Sequence, residues 1–405
     1  MKKIALLHYS APPVIGGVES VVGQHARLMA DAGHQVYLVA GRGEQTDPRI
    51  PFIHLPLADS RHLTVLGVKS ELDVGRIPPQ FGELVDALTT DLNRVLDGVD
   101  ILIAHNVCSL NKNLGLTAAI HKLTSRSDRQ VILWHHDLAW TTPRYRDELY
   151  DGYPWDLLRQ AWPGVRQVTI SEMRRQELAE LFDIRHEEIT LVPNGVDITR
   201  FHKLEQQTSE YVRTLELMNA APLLLLPVRI TPRKNIELAL RVCASMREHF
   251  PATKLVVTGP LGPHNPTNIK YFGKLTALRK ELGLEKAAFF LAELTTEYIP
   301  DEVIFDLYHL ADALFLPSRE EGFGIPILEA AIAGLPVFCS DIPPLRSLGG
   351  PNAVYFPADA DPAALAKVLA ETLASNPVFR MRLEIRQGYA WESIYARHIA
   401  PLLRG

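Results

Sequence analysis

The sequence predicts an α/β protein made of two doubly wound parallel sheets, and three observations carry that expectation. A strand–helix–strand rhythm runs through the first half of the chain. It pauses in a polar stretch near residues 195–220 and then begins again. The length of 405 residues, at roughly 150 per domain, fits two or three domains.

KIALLHY reads as a first buried strand that ends in the Pro/Gly-rich loop SAPPVIGG. VESVVGQHARLMADAG follows with helical spacing, and Gly33 stands where a helix would stop. QVYLVAG completes a β-α-β unit, the building block of a parallel sheet. DILIAHN, a helix around Asn111–Leu123, QVILWHH, VRQVTIS, the helix EMRRQELAELF and EITLVPNG continue the pattern. The stretch ITRFHKLEQQTSEYVRTLELMNAAP reads as a polar connection. Beyond it, APLLLLPVR, TKLVVTG, AAFFLAEL, ADALFLPS and LPVFCS are strand-like and separated by helical segments. AWESIYARHIAPLLRG closes the chain as an amphipathic helix. The expected division is 1–200, 201–385 and a terminal helix over 386–405 that packs back on the first domain.

Composition narrows the function. The chain is 47% hydrophobic and 22% charged with a formal charge of -5, which gives no general attraction to nucleic acid. Its apolar runs are far too short to span a bilayer. MKKIALL opens like a signal peptide, but the run breaks at His8 and Pro12 and Pro13 follow, so a first strand explains it better. Cys108, Cys243 and Cys339 are far apart, show no metal or redox spacing, and suit a reducing compartment. The expected location is the cytoplasm.

Four stretches carry candidate chemistry, each at the end of a strand, where ligands of doubly wound sheets bind. Gly16 and Gly17 open the first helix and let backbone N–H groups approach an anion, although a plain turn accounts for them as well. Trp134-His135-His136-Asp137 ends a strand; no third and fourth ligand stand at zinc spacing, and a histidine bonded to a neighbouring loop is the simpler alternative. Arg229 and Lys234, with Arg233 between them, converge on a strand-to-helix loop, an arrangement suited to a diphosphate or to a solvated turn. In SREEGFGIPILEAAIAGLPVFCS, Glu321 precedes a turn through Phe323, Gly324, Ile325 and Pro326, and Glu329 falls in the first turn of the following helix. The free N–H groups there suit an anion, and ionised carboxylates suit vicinal hydroxyls. A first-turn acid favouring the helix dipole is the competing account of Glu329.

Together these stretches resemble the retaining nucleotide-sugar glycosyltransferases of the GT-B fold, family 4 or group 1. Glu321 and Glu329, with seven residues between them in a glycine-bearing turn, carry most of the resemblance. GGVE, TISEMRRQEL, VPNGVD, Arg229, Lys234 and the closing AWESIYARHIAPLLRG add to it. Ser347 departs from the Glu many members carry, and the HD pairing favours His136 over His135 as the family's histidine. The resemblance implies two facing Rossmann-like domains and transfer of a hexose from a donor of UDP-glucose or GDP-mannose type. It implies Glu329 on the ribose and Glu321 on the donor sugar. Phe323, Gly324, Ile325, Arg229 and Lys234 would hold the diphosphate, His136 would lie near the reacting carbon, and Gly16 and Gly17 would border the donor. No metal and no cofactor are expected, because the nucleotide sugar is a co-substrate. The acceptor stays open among a sugar, another small molecule and a lipid-linked sugar, with weak peripheral membrane contact left open and no nucleic-acid partner. Its candidate loops are 9–19, 56–78 and 137–164. A catalytically silent nucleotide-sugar-binding subunit or another GT-B enzyme such as an epimerase are the alternatives.

Overall fold

In the run Lys3–Ser10, which forms β1, every residue after Lys3 is buried. Ala5, Leu7 and Tyr9 enter one core layer while Ile4 and Leu6 enter the other. Side chains alternate along a strand, so a strand buried at every position must be covered on both faces. The computed structural model describes residues 1–124, 129–260, 266–295 and 297–404; Gly405 of the closing stretch lies outside them. Contacts divide the chain into one unit of Met1–Gly195 with Trp391–Gly405 and a second of Val196–Ala390.

The first unit adds β2 (Gln35–Arg42), β3 (Phe52–His54), β4 (Ile101–His105), β5 (Gln130–His135), β6 (Arg166–Thr169) and β7 (Ile189–Leu191). All neighbours are parallel, in the order β3-β2-β1-β4-β5-β6-β7. Its main helices are α1 (Gly17–Asp31), α2 (Leu63–Leu72), α3 (Pro79–Val95), α4 (Leu114–Thr124) and α5 (Glu172–Phe182). The fourth starts later than the expected Asn111, because the Asn113 side chain accepts the Leu116 N–H and marks the helix entry. Trp391, Ile394, Ile399, Leu402 and Leu403 join the core layer that contains Val22, Ala26 and Met29 of α1.

The second unit holds β8 (Leu223–Leu226), β9 (Lys254–Val257), β10 (Ala288–Phe290), β11 (Ala313–Leu316), β12 (Val337–Ser340) and β13 (Val354–Phe356). Their order is β10-β9-β8-β11-β12-β13, again parallel throughout. Around them lie α6 (Ile198–His202), α7 (Gln206–Thr214), α8 (Ile236–His249), α9 (Pro266–Glu281), α10 (Asp301–Leu310), α11 (Ile325–Ile332), α12 (Pro343–Gly349), α13 (Pro362–Ser375) and α14 (Pro377–Glu384). In both sheets the chain steps outward from its first strand and then returns to build the other side. That leaves a switch point between β1 and β4, and another between β8 and β11.

The polar connection expected near residues 195–220 is instead folded onto the second unit. Thr208, Tyr211, Val212 and Leu215 recur at helical spacing and are buried, the last three within its core. The boundaries also fall slightly outside the expected ones. The Val196 N–H donates to the Tyr389 carbonyl at 2.7 Å, and Arg386 pairs with buried Asp312 at 2.7 Å, so 196–200 and 386–390 stay with the second unit. Among the described residues no helix is long and apolar enough to cross a membrane.

The first unit also buries a group of imidazoles. His25 has no hydrogen-bond partner on either ring nitrogen and lies 4.6 Å from the Trp134 ring and 5.4 Å from that of Trp391. Burial pulls His25 and His136 down to about 3 and His8 and His135 to about 4, and it holds His105 well below the ordinary value. Each stays neutral when folded and takes up a proton near pH 6.5 when unfolded, so the unfolded chain binds more protons between those values. Their contribution is therefore fully present above about pH 6.5 and is lost as pH falls toward 4, at about 1.4 kcal/mol per pH unit for each such histidine. All five tryptophans lie in this unit, so their fluorescence reports its unfolding alone. Urea midpoints read by tryptophan fluorescence should fall steeply from pH 7.5 to 5, and His25→Phe should flatten the dependence. Equal midpoints at the two pH values would contradict this.

Candidate functional site

The switch point of the second unit gathers one group of candidates. β8 and β11 are hydrogen-bonded neighbours, with Ala313 beside Leu224 and Leu314 beside Leu225, so the loops leaving their carboxyl ends run side by side. Asn235 ties them together. It adopts a left-handed backbone (φ 53°), and its side-chain amide donates to the carbonyls of Pro317 and Ala358 at 3.1 and 2.8 Å. Its side-chain oxygen accepts from Arg319 at 3.1 Å, and the Arg319 N–H donates to the Arg233 carbonyl at 2.8 Å.

That clamp brings Lys234 to Glu321. The ammonium donates to Glu321 Oε1 at 2.5 Å, and the Ser318 hydroxyl donates to the same oxygen at 2.7 Å. The two side chains are only 9% and 8% exposed, which makes this a buried pair rather than a surface one. Burial pulls Lys234 below its ordinary value, and the neighbouring carboxylate opposes that shift. Glu321 Oε2 lies 4.0 Å from Arg233 and remains open to a further donor. Arg229 is exposed and makes no side-chain hydrogen bond or ion pair among the described residues, so it does not join the clamp.

Past Glu321 the chain turns through Gly324 at φ 111°, a left-handed conformation that favours glycine. A Cβ there would stand 2.7 Å from Leu345 Cδ2, which closes the position further. Phe323 and Ile325 are each 57% exposed, and among the described residues the N–H groups of 323–325 donate to no protein oxygen. The turn thus offers outward donors at the N-terminus of α11. Pro326 is the second residue of that helix. Glu329 is the fifth, so it lies beyond the first turn and the dipole account of it weakens. Its Oε2 instead accepts from the hydroxyl of buried Tyr308 at 2.6 Å. Burial and that carboxylate raise the Tyr308 hydroxyl well above its usual range.

Gly16, Gly17 and His136 lie in the first unit, separate from that group in the contact division. Gly16 is extended, and a Cβ on it would overlap Glu19, whose carboxylate folds back to accept from the Ser10 hydroxyl at 2.6 Å. Gly17 has open space where a side chain would go. His8 Nδ1 meets the His105 carbonyl at 2.7 Å, which places a proton on Nδ1 and leaves the lone pair on Nε2, 4.0 Å from Glu19. His105 Nδ1 lies 3.2 Å from His136 Nε2, so His136 joins this chain of buried rings. Asn106, at φ 59°, accepts the N–H groups of His136 and Asp137 at 2.8 and 3.0 Å on one side-chain oxygen. His135 points elsewhere, to Gln167 at 2.8 Å and edge-on to Phe182. Among the described residues no three His, Cys, Asp or Glu side chains are grouped as a metal site would require.

Reading the sequence did not bring out Tyr308, Ser318, Asn235 or Asn106. Two of them left a trace, since Asn106 directly follows β4 and Asn235 stands just before α8, and Asn tolerates the left-handed backbone that such sharp turns need.

Comparison with known proteins matches the description "Glycosyltransferase Family 4" over residues 15–200 and "Glycosyl transferases group 1" over residues 209–388. The chain belongs to this glycosyltransferase family, and its two parallel α/β sheets are those of a GT-B enzyme. It is 26% identical over 367 residues to the mannosylglucosylglycerate synthase of Thermotoga maritima, covering 84% of this chain and 83% of that one. It is 26% identical over 441 aligned positions to the MMP alpha-(1->4)-mannosyltransferase of Mycolicibacterium hassiacum, covering 98% and 97%. Among solved structures, the sucrose-phosphate synthase of Thermosynechococcus elongatus aligns over 100% of this chain and 98% of its own, at 18% identity and a TM-score of 0.38.

Proposed function

We propose that the chain moves a hexosyl group from a nucleoside-diphosphate sugar to an acceptor hydroxyl, with retention of anomeric configuration and without a metal ion. One observation carries the reading: the buried Lys234–Glu321 pair stands at the β8/β11 switch point, one turn from the open N–H groups of 323–325. A diphosphate seated against Lys234 and those N–H groups would have its developing charge met by donors already in place. Arg229, exposed and with no side-chain hydrogen bond or ion pair among the described residues, would close on the same oxygens. Glu321 Oε2 would accept from a donor-sugar hydroxyl, and Glu329 Oε1 from the ribose. As the C1–O bond to the diphosphate breaks, the acceptor oxygen bonds to C1 from the same face, and the leaving phosphate oxygen takes the acceptor's proton. His136 is the first unit's candidate for the reaction, kept neutral by burial and with its N–H fixed by Asn106.

Relatives named as mannosyltransferases favour GDP-mannose over UDP-glucose as the donor. Three buried free thiols fit a cytoplasmic setting. The test is the product formed in the presence of a chelator, with its anomeric proton read by NMR. Transfer with retention is expected; inversion, or loss of transfer restored by a divalent cation, would overturn the reading.

Glu329→Ala separates binding from turnover. Losing a charge-assisted acceptor should raise the donor Kd and KM about 10- to 10²-fold with a smaller change in kcat. Titration calorimetry with the nucleoside diphosphate checks it, and an unaltered Kd would remove Glu329 from the nucleotide site.

A further inference from the structure

In the first unit the carboxyl ends of β1 and β2, the start of α1 and the loops after β3 and β4 enclose a polar cleft of about 270 Å³, whose lining includes His8, Glu19, Arg42, Ser60, Arg61 and Lys112. We propose that this cleft is an acceptor subsite that binds an anionic group, a carboxylate or a phosphate, on a small polyhydroxylated molecule. The inference rests on the transferase reading above and adds a chemical class to its unassigned acceptor.

Charge points there first. Three cations line the cleft against one carboxylate, Glu19, which is already bonded to Ser10 and stands beside His8. Arg42 is fixed by buried Asp59 at 2.7 Å, and the other Asp59 oxygen accepts the Arg61 N–H at 2.9 Å, so a single buried acid organises the basic wall. The Arg61 and Lys112 side chains meet no carboxylate among the described residues, and Lys112 Nζ stands 6.0 Å over the Tyr9 ring. Cations left to converge on one cleft repel one another until an anion enters, and a guanidinium with an ammonium suits carboxylate or phosphate oxygens.

The opposite wall supplies acceptors. Glu19 only accepts, and neutral His8 turns its Nε2 lone pair toward Glu19 because its proton is on Nδ1. Hydroxyls against that wall and an anionic group against the basic one describe a sugar phosphate, a polyol phosphate or a hydroxy acid. The volume fits a molecule of about hexose size.

The test uses matched acceptor pairs with the full chain: glycerate and glycerol, glucose 6-phosphate and glucose, inositol phosphate and inositol. The readout is the ratio of kcat/KM for the anionic and neutral member of each pair, so a general loss of activity cancels. At least one pair should show a ratio of about 10² or more in the wild type, falling toward unity in Arg61→Gln and Lys112→Met. The first pair reports a carboxylate and the other two a phosphate. Transfer with ratios near unity, or ratios the two variants leave unchanged, overturns the subsite while the transferase reading stands. No nucleoside diphosphate release from any donor with any pair overturns both.

Discussion

Lys234→Ala is expected to lower kcat by about 10²-fold or more. The ammonium is buried at the β8/β11 switch point, and its contact with Glu321 holds it in place before a donor arrives. Charge grows on the diphosphate only as the glycosidic bond breaks, so the interaction is stronger in the transition state than in the ground state and its loss appears in kcat. A charge-assisted hydrogen bond of about 1.5–3 kcal/mol already corresponds to roughly 10- to 10²-fold, and a preorganised site of low dielectric raises that. The substitution also leaves the Glu321 carboxylate with only the Ser318 hydroxyl and the more distant Arg233, at a stability cost of about 3–5 kcal/mol for a broken buried pair. Single-turnover rates taken well below the variant's thermal midpoint separate the two effects. A purely structural pair would lower the midpoint and leave the rate intact.

Glu321→Ala should match that loss, at about 10²-fold in turnover, for two reasons that act together. One removes the acceptor that Oε2 offers to the donor sugar. The other releases Lys234, since Oε1 is the carboxylate oxygen that receives its ammonium. Residues acting as a unit are not additive, so the double variant should be little worse than either single one. Steady-state rates of the three variants check this. Wild-type-like rates in either single variant would sink the assignment of the pair to catalysis, and fully additive losses would show the two residues acting apart.

Much of this site was legible in the sequence because the signs are local. Short apolar runs alternating with helical periodicity gave the two sheets, and the chemistry-bearing residues followed the strands directly. Contacts made over longer range were hidden. Tyr308 meets Glu329 from a preceding helix, and Asn235 reaches Pro317 and Ala358 across the sheet; neither pairing has any spacing that a sequence displays. The helix α7 was missed for the opposite reason. Its inward stripe of Thr208, Tyr211, Val212 and Leu215 is narrow, and the glutamines, glutamates and arginines on its outer face made the segment read as a linker. His135 and His136 show how little the sequence says about direction, because adjacent residues on a strand end face opposite sides and only the packing tells which joins the ring cluster.

The central claim is that this chain turns over a nucleotide sugar, and the most direct measurement is a donor panel without added metal. Nucleoside diphosphate release and thermal shift are followed together for UDP- and GDP-linked hexoses. The account predicts one donor that raises the melting temperature and is slowly hydrolysed, with faster release once an acceptor is supplied. Stabilisation by a donor with no release, whatever acceptor is added, would contradict it and leave a silent nucleotide-sugar-binding protein.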